Sequence, residues 1–215
     1  MEEKISYTKR IKEYCQTHKN SILDVSHVSD NIFVDIPYKT LLKILNRLAQ
    51  DGVIQPVSKG VYYIGKKYLT EDEILSKYVE KGKGMVIGYK LYNRIGLSPY
   101  QDSIIEAFTN SISSQHKTIG NLRLKKALLT FDDATIDLVS LLEALNAGYN
   151  IKLCNYFTYK SITDLLSKSY NDSIFEKIIN AIAYPYSTIA KLNEILMRNK
   201  IDNNCIDIYS KTEKD

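Results

Sequence analysis

The sequence has no tryptophan, four prolines and three cysteines, and it lacks any apolar run near the roughly 18 to 20 residues that a membrane helix needs. Each absence closes a class of function. Cys15, Cys154 and Cys205 are far apart, which suits reduced thiols better than a disulfide framework. Neither they nor His18, His27 and His116 form the short-spaced pairs that bind zinc, so no metal site is expected. No membrane association is expected either. Met1-Glu2-Glu3-Lys4 lacks the basic and apolar segments of a secretory leader, and a cytoplasmic location follows.

Catalytic signatures are missing in the same way. Gly82-Lys83-Gly84 has the wrong order and spacing for a phosphate-binding G-x-x-x-x-G-K-[ST] loop, and no histidine sits in a recognisable nucleophile motif. Asp132, Asp133, Asp137 and Glu143 form the densest acidic group, with Lys152 downstream. A metal-dependent nuclease would want an acid two residues before that lysine, where Asn150 stands. Acids at the start of a helix are in any case what the helix dipole favours. No catalytic residue and no cofactor are therefore expected.

What is present begins with charge. The chain has 215 residues, 44% of them hydrophobic and 25% charged, an ordinary globular composition. Its formal excess of +4 lies wholly in residues 1 to 68, which hold 11 basic and 7 acidic residues, whereas the remainder holds 18 of each. Seventeen tyrosines stand against five phenylalanines. Tyrosine can stack on bases or line wet interfaces, but most often it packs at a core edge with the hydroxyl outward.

Within the basic third, Tyr38, Leu41, Leu42, Leu45, Leu48 and Ala49 recur at the i, i+3, i+4, i+7 spacing of one apolar helix face. Lys39, Lys43, Asn46, Arg47 and Gln50 fall opposite, and all can donate to phosphates or base edges. The spacing predicts a helix over 35 to 51, with Asp35 as N-cap, Pro37 in the first turn and Gly52 just past the end. Tyr7, Ile11, Tyr14, Cys15 and His18 predict an earlier helix behind Ser6, and Val25, Val28 and Ile32 a short second one. Val53-Ile54 and Val61-Tyr62-Tyr63-Ile64 read as strands joined by a turn containing Pro56, Ser58, Lys59 and Gly60.

Three helices followed by a basic hairpin make a winged helix-turn-helix, and basic charge gathered there is what phosphate neutralisation requires. The residues expected to meet DNA are Lys39, Thr40, Lys43, Asn46 and Arg47 on the helix and Lys59 on the wing. A basic face opposite an apolar stripe is also the ordinary form of a solvated helix, and winged helices serve as protein-protein modules too.

After a connector at Gly65-Lys66-Lys67-Tyr68-Leu69, Thr70-Glu71-Asp72-Glu73 fits a capping box that starts a helix running to about 81. Met85-Val86-Ile87 reads as a strand and 89 to 94 as one or two helical turns, while 103 to 109 is ambiguous between strand and helix. Lys117-Thr118-Ile119 and Leu122-Arg123-Leu124 flank Gly120-Asn121, a hairpin turn pair. A helix over 134 to 147 is capped by Asp132 or Asp133 and closed at Gly148. Further helices are expected near 161 to 168, 172 to 184 and 186 to 199. The expected fold class is α+β: a winged helix-turn-helix domain, 1 to 68, then a mixed α+β domain, 69 to 215, with a helical C-terminal part.

Lys59-Gly60-Val61-Tyr62-Tyr63, then Ile87-Gly88-Tyr89, then Ile95-Gly96-Leu97-Ser98-Pro99-Tyr100-Gln101 carry a resemblance to the abortive-infection AbiEi-type antitoxin family, over roughly residues 5 to 130. The resemblance implies an N-terminal winged helix that binds double-stranded operator DNA and represses its own operon. It also implies a C-terminal domain that counters a co-encoded nucleotidyltransferase-type toxin. Lys39, Lys43, Arg47 and Lys59 match the family's basic positions in recognition helix and wing. No compact motif marks an antitoxin surface, and the Gly-Leu-Ser segment reads as a helix C-cap and packing turn ahead of an interaction surface. Two other readings stand beside this one: a stand-alone winged-helix regulator whose second domain senses a ligand or dimerises, and an interaction module that never touches DNA.

Overall fold

The computed structural model describes residues 6–212. The leader question at Met1-Glu2-Glu3-Lys4 lies outside the described residues. The chain is mixed α+β, with ten α-helices and two small sheets among the described residues. It packs as two compact units, the first made of residues up to Lys77 with Ile112–Gly120, the second of Tyr78–Ser111 with the chain from Asn121 onward. Sequence reading divided the chain after residue 68, whereas packing divides it within the helix that begins at Glu71. Among the described residues no helix is long and apolar enough to cross a membrane.

The first unit starts with α1 (Tyr7–Thr17), whose N-cap Ser6 accepts from the Lys9 amide at 3.3 Å. β1 (Ile22–Asp24) leads directly into α2 (Val25–Asn31), capped by Asp24, and α3 (Tyr38–Gln50) follows. β2 (Gln55–Ser58) and β3 (Val61–Tyr63) complete an antiparallel sheet with strand order β1-β3-β2. Ile11, Leu23, Val28, Leu41, Leu45 and Leu48 are buried in one core beneath these elements. At about 1.5–3 kcal/mol for each aliphatic side chain taken from water, that core holds together helices too short to stand alone.

Several local expectations give way here. Asp35 does not cap α3, which starts at Tyr38 with Pro37 in the N-cap position. Its carboxylate instead takes two bonds from the Arg10 guanidinium, at 2.5 and 3.0 Å, a partner 25 residues away that local pattern cannot announce. Val53-Ile54 is not a strand. Gly52, at φ +68, turns the chain off α3, and pairing begins only at Gln55. Pro56 and Ser58 lie in β2 rather than in the turn, which is the two-residue link Lys59-Gly60 with Gly60 at φ +73. Pro56 fits because β2 is an edge strand, where a missing N–H costs no ladder bond.

α4 (Glu71–Val79) begins with the expected capping box: the Thr70 amide donates to Glu73 at 2.9 Å, and the Glu73 amide donates back to the Thr70 hydroxyl at 3.3 Å. In the second unit β4 (Gly84–Ile87) pairs antiparallel with β5 (Ile105–Thr109), and β5 pairs parallel with β7 (Leu122–Lys126) in the register Ala107 to Leu124. Pairing settles the ambiguous 103 to 109 segment as strand. α5 (Gly88–Arg94) lies against β4 and β5. β6 (His116–Ile119) and β7 are joined by the expected Gly120-Asn121 turn, with Gly120 at φ +56.

α6 (Asp133–Ala147) is capped by Asp132, which accepts from the Thr135 amide at 2.8 Å. Leu138, Val139, Leu141, Leu142 and Leu145 are all buried, so this helix is apolar most of the way round and forms the centre of the unit. Around it pack α7 (Tyr156–Ser167), α8 (Asp172–Ala181) and α9 (Tyr186–Arg198), with α10 (Cys205–Thr212) against α8 and α9. α7 starts five residues before the expected 161, where Asn155 caps it by accepting from the Thr158 amide at 2.9 Å.

Glu143 turns inward from α6 and accepts from the Tyr184 hydroxyl at 2.9 Å. Burial raises the pKa of its carboxyl above the ordinary carboxylate value, outweighing the opposing influence of Tyr184 and Lys125. A carboxyl with a raised folded-state pKa binds more protons folded than unfolded, so its contribution favours the fold at low pH and is lost as pH rises above its ordinary value. Glu143→Gln keeps an oxygen for Tyr184 without the charge. The variant should melt higher than wild type at pH 8, by about 2–4 °C per kcal/mol relieved, and the gap should close toward pH 4. Thermal melts across that range check it, and a variant that loses stability equally at both ends contradicts it.

Candidate nucleic-acid interface

The candidate site is built on α3. Leu41, Ile44, Leu45 and Leu48 fall at i, i+3, i+4 and i+7 and are buried, which fixes the rotation of the helix on its core. Ile44 belongs to this buried face, whereas Tyr38, expected on it, is 46% exposed. With the inner face set, Lys39, Lys43, Asn46, Arg47 and Gln50 all emerge exposed on the opposite side. At 3.6 residues per turn they span an arc of roughly 100°. Thr40 is half-buried at the edge of that arc.

The β2–β3 hairpin stands beside this face. Leu42, Asn46 and Gln50 from the helix and Pro56, Lys59 and Tyr62 from the hairpin line an open groove of about 500 Å³. Lys59 is exposed at the turn, and Gly60 supplies the left-handed conformation that a two-residue connection needs. All six residues picked out by sequence thus lie in the first unit, five on α3 and one on the hairpin turn. The structure brings Asn46 and Lys59 to the same groove.

Several cations elsewhere in the chain are committed to carboxylates. Arg10 is held by Asp35, Lys67 by Glu73, Lys117 by Asp24, Lys125 by Glu106 and Arg198 by Asp164. Lys39, Lys43, Arg47 and Lys59 have no side-chain hydrogen bond or ion pair among the described residues. Such cations keep their full donor sets for an anion that arrives from solvent: three N–H on each lysine, five on the arginine.

Asn46 is committed in part. The Tyr62 hydroxyl donates to its Oδ1 at 2.6 Å, tying helix to hairpin and leaving the amide NH2 as the outward-facing donor. Tyr62 is the residue that sequence reasoning missed. It was legible only as a strand residue, because its partner lies 16 positions away on another element. Chemically the arrangement can bind a polyanion: a ridge of exposed cations, one oriented amide donor, and a basic turn at its flank. Among the described residues no group of three or more His, Cys, Asp or Glu side chains is placed to hold a metal ion. No protein-family model matches this sequence, and no curated protein compared with it shows significant similarity.

Proposed function

We propose that the first unit is a winged helix-turn-helix that binds double-stranded operator DNA, with α3 in the major groove and the β2–β3 hairpin as the wing. The observation that carries this reading is the set of unpaired cations on one exposed helix face, Lys39, Lys43 and Arg47, with Lys59 on the adjoining turn. A B-form major groove about 12 Å wide admits one helix, and phosphates on either side meet the cations at its edges. Asn46 offers its NH2 to a base-edge acceptor, and Thr40 flanks it.

The resemblance of residues 59–63, 87–89 and 95–101 to AbiEi-type antitoxins extends the proposal. The chain acts in the cytoplasm as the autorepressor and antitoxin of its operon, and the second unit counters a co-encoded nucleotidyltransferase-type toxin. No catalytic step is assigned to the chain itself. A gel-shift titration with DNA from upstream of its own gene, over a range of salt, tests the first part. The Lys43→Ala/Arg47→Ala variant should bind at least about tenfold more weakly, with the slope of log K against log salt shallower by about two. Unchanged affinity and slope would place DNA binding elsewhere or nowhere. The second part predicts that the intact chain rescues growth of cells expressing the neighbouring nucleotidyltransferase, and that the operator-binding variant still rescues when supplied from an independent promoter.

A further inference from the structure

The second unit carries a pocket that DNA binding does not use. Tyr156, Lys160 and Thr163 recur at i, i+4 and i+7 on α7, and Lys191, Glu194 and Arg198 at i, i+3 and i+7 on α9, so two helix faces meet across a cavity of about 240 Å³. Gly148 and Tyr149, which follow α6, also line it. Tyr149 is 72% exposed and Tyr156 55% exposed, yet their rings lie nearly parallel, 26° apart with centroids 6.2 Å from one another. Tyr159, buried and donating to the Ala144 carbonyl at 3.3 Å, backs Tyr149 at 5.1 Å.

Large aromatic faces left in water at the mouth of a cavity are the informative exception to burial. Cations accompany them. The Lys191 ammonium donates to the Leu145 carbonyl at 3.1 Å, beside Gly148, which takes the left-handed conformation at φ +58. One of three ammonium protons is thereby used, and the site orients the others. Arg198 is neutralised by Asp164, which leaves Lys160 and Lys191 against Glu194, a surplus of a single positive charge.

We propose that this pocket binds one nucleotide, its base stacked on the Tyr149–Tyr156 faces and its phosphate held by Lys191 and Lys160. Stacking on exposed rings accepts any base, because every base has a π-face, and a lysine at the end of the platform selects for the phosphate. The volume lies just below the roughly 300–1,000 Å³ of pockets that enclose drug-sized ligands, and the local surplus is one charge, so the match is a monophosphate rather than a triphosphate. A free nucleoside monophosphate and the phosphorylated end of a single strand present the same chemistry.

Isothermal titration of the full chain with AMP, GMP, CMP and UMP, and separately with a 5′-phosphorylated single-stranded hexanucleotide, tests the assignment. Binding of at least one monophosphate is expected, weakened about tenfold by Tyr156→Ala and by Lys191→Met, and lost with the corresponding nucleoside plus free inorganic phosphate. Tighter binding of the hexanucleotide with the same sensitivity to both variants would make the strand end the ligand. Both substitutions are at exposed positions, and unchanged melting temperatures separate a lost contact from a lost fold. No heat with any of these probes at millimolar concentration, or binding indifferent to both variants, overturns the proposal. The Lys43→Ala/Arg47→Ala variant should bind the monophosphate as wild type does, so failure here and failure of operator binding are read independently.

Discussion

Asp24→Ala should destabilise the first unit by about 3–5 kcal/mol, the range for removing one partner of a buried ion pair. Asp24 does two jobs with its two oxygens. Oδ1 caps α2 by accepting from the Ser26 amide at 3.1 Å, and Oδ2 takes the Lys117 ammonium. The side chains are only 7% and 15% exposed, so water cannot replace the partner that alanine removes. Loss of the cap alone would cost about 1 kcal/mol; the larger share comes from a lysine left buried without its counter-charge. Urea denaturation gives the number, and the double variant Asp24→Ala/Lys117→Met separates the parts. Removing both charges should restore most of the pair's share and leave the cap's deficit. A single-variant loss near 1 kcal/mol would mean that the pair contributes little and that the cap is the whole effect.

That pair also marks where local pattern stops being informative. Its partners are 93 residues apart, and no spacing rule connects them. The same distance hid the membership of 112 to 120 in the first unit, since the charge shift near residue 68 reports composition and not packing. What periodicity encodes was readable. The inner face of α3 follows from apolar residues that recur with the helix, and its outer face, Lys39, Lys43, Asn46 and Arg47, follows from the inner one. The capping box at Thr70 and Glu73 is a local bargain between neighbours and was legible for the same reason.

Short or mixed elements were not. β1 is three residues long and owes its conformation to pairing with β3, so nothing within it distinguishes strand from loop. Asp35 fits the N-cap pattern, yet α3 begins at Tyr38 and the Asp35 carboxylate is bonded to Arg10, a partner no local spacing indicates. The aromatic pocket was the least visible of all. Tyr149, Tyr156 and Tyr159 belong to a tyrosine-rich sequence in which any one tyrosine is most often a core-edge residue. Only the folded chain shows that Tyr149 and Tyr156 face water while Tyr159 is buried.

Gly84→Ala is expected to be the most damaging single-methyl change in the second unit. Gly84 opens β4 and sits opposite Thr109 of β5. A Cβ added there would stand 2.3 Å from the Phe108 carbonyl oxygen, 2.7 Å from the Tyr78 carbonyl oxygen and 3.1 Å from the Thr109 Cα. All three are backbone atoms. A flexible side chain could swing aside, but these carbonyls belong to the helix end and the strand that define the site, and the Tyr78 carbonyl already accepts from the Thr109 hydroxyl at 2.7 Å. Relief therefore requires β4 to move away from β5, which gives up ladder bonds as well as packing. Overpacking a core costs about 1–3 kcal/mol where side chains can adjust; a backbone clash belongs at or above the top of that range. The effect should appear as a lower denaturation midpoint for the second unit, with nucleotide binding at the α7–α9 pocket lost only where that unit unfolds. The operator binding proposed for the first unit should survive until that unit melts. Near-wild-type stability of Gly84→Ala would mean that β4 and β5 can separate freely, contrary to the continuous pairing from Gly84 to Ile87.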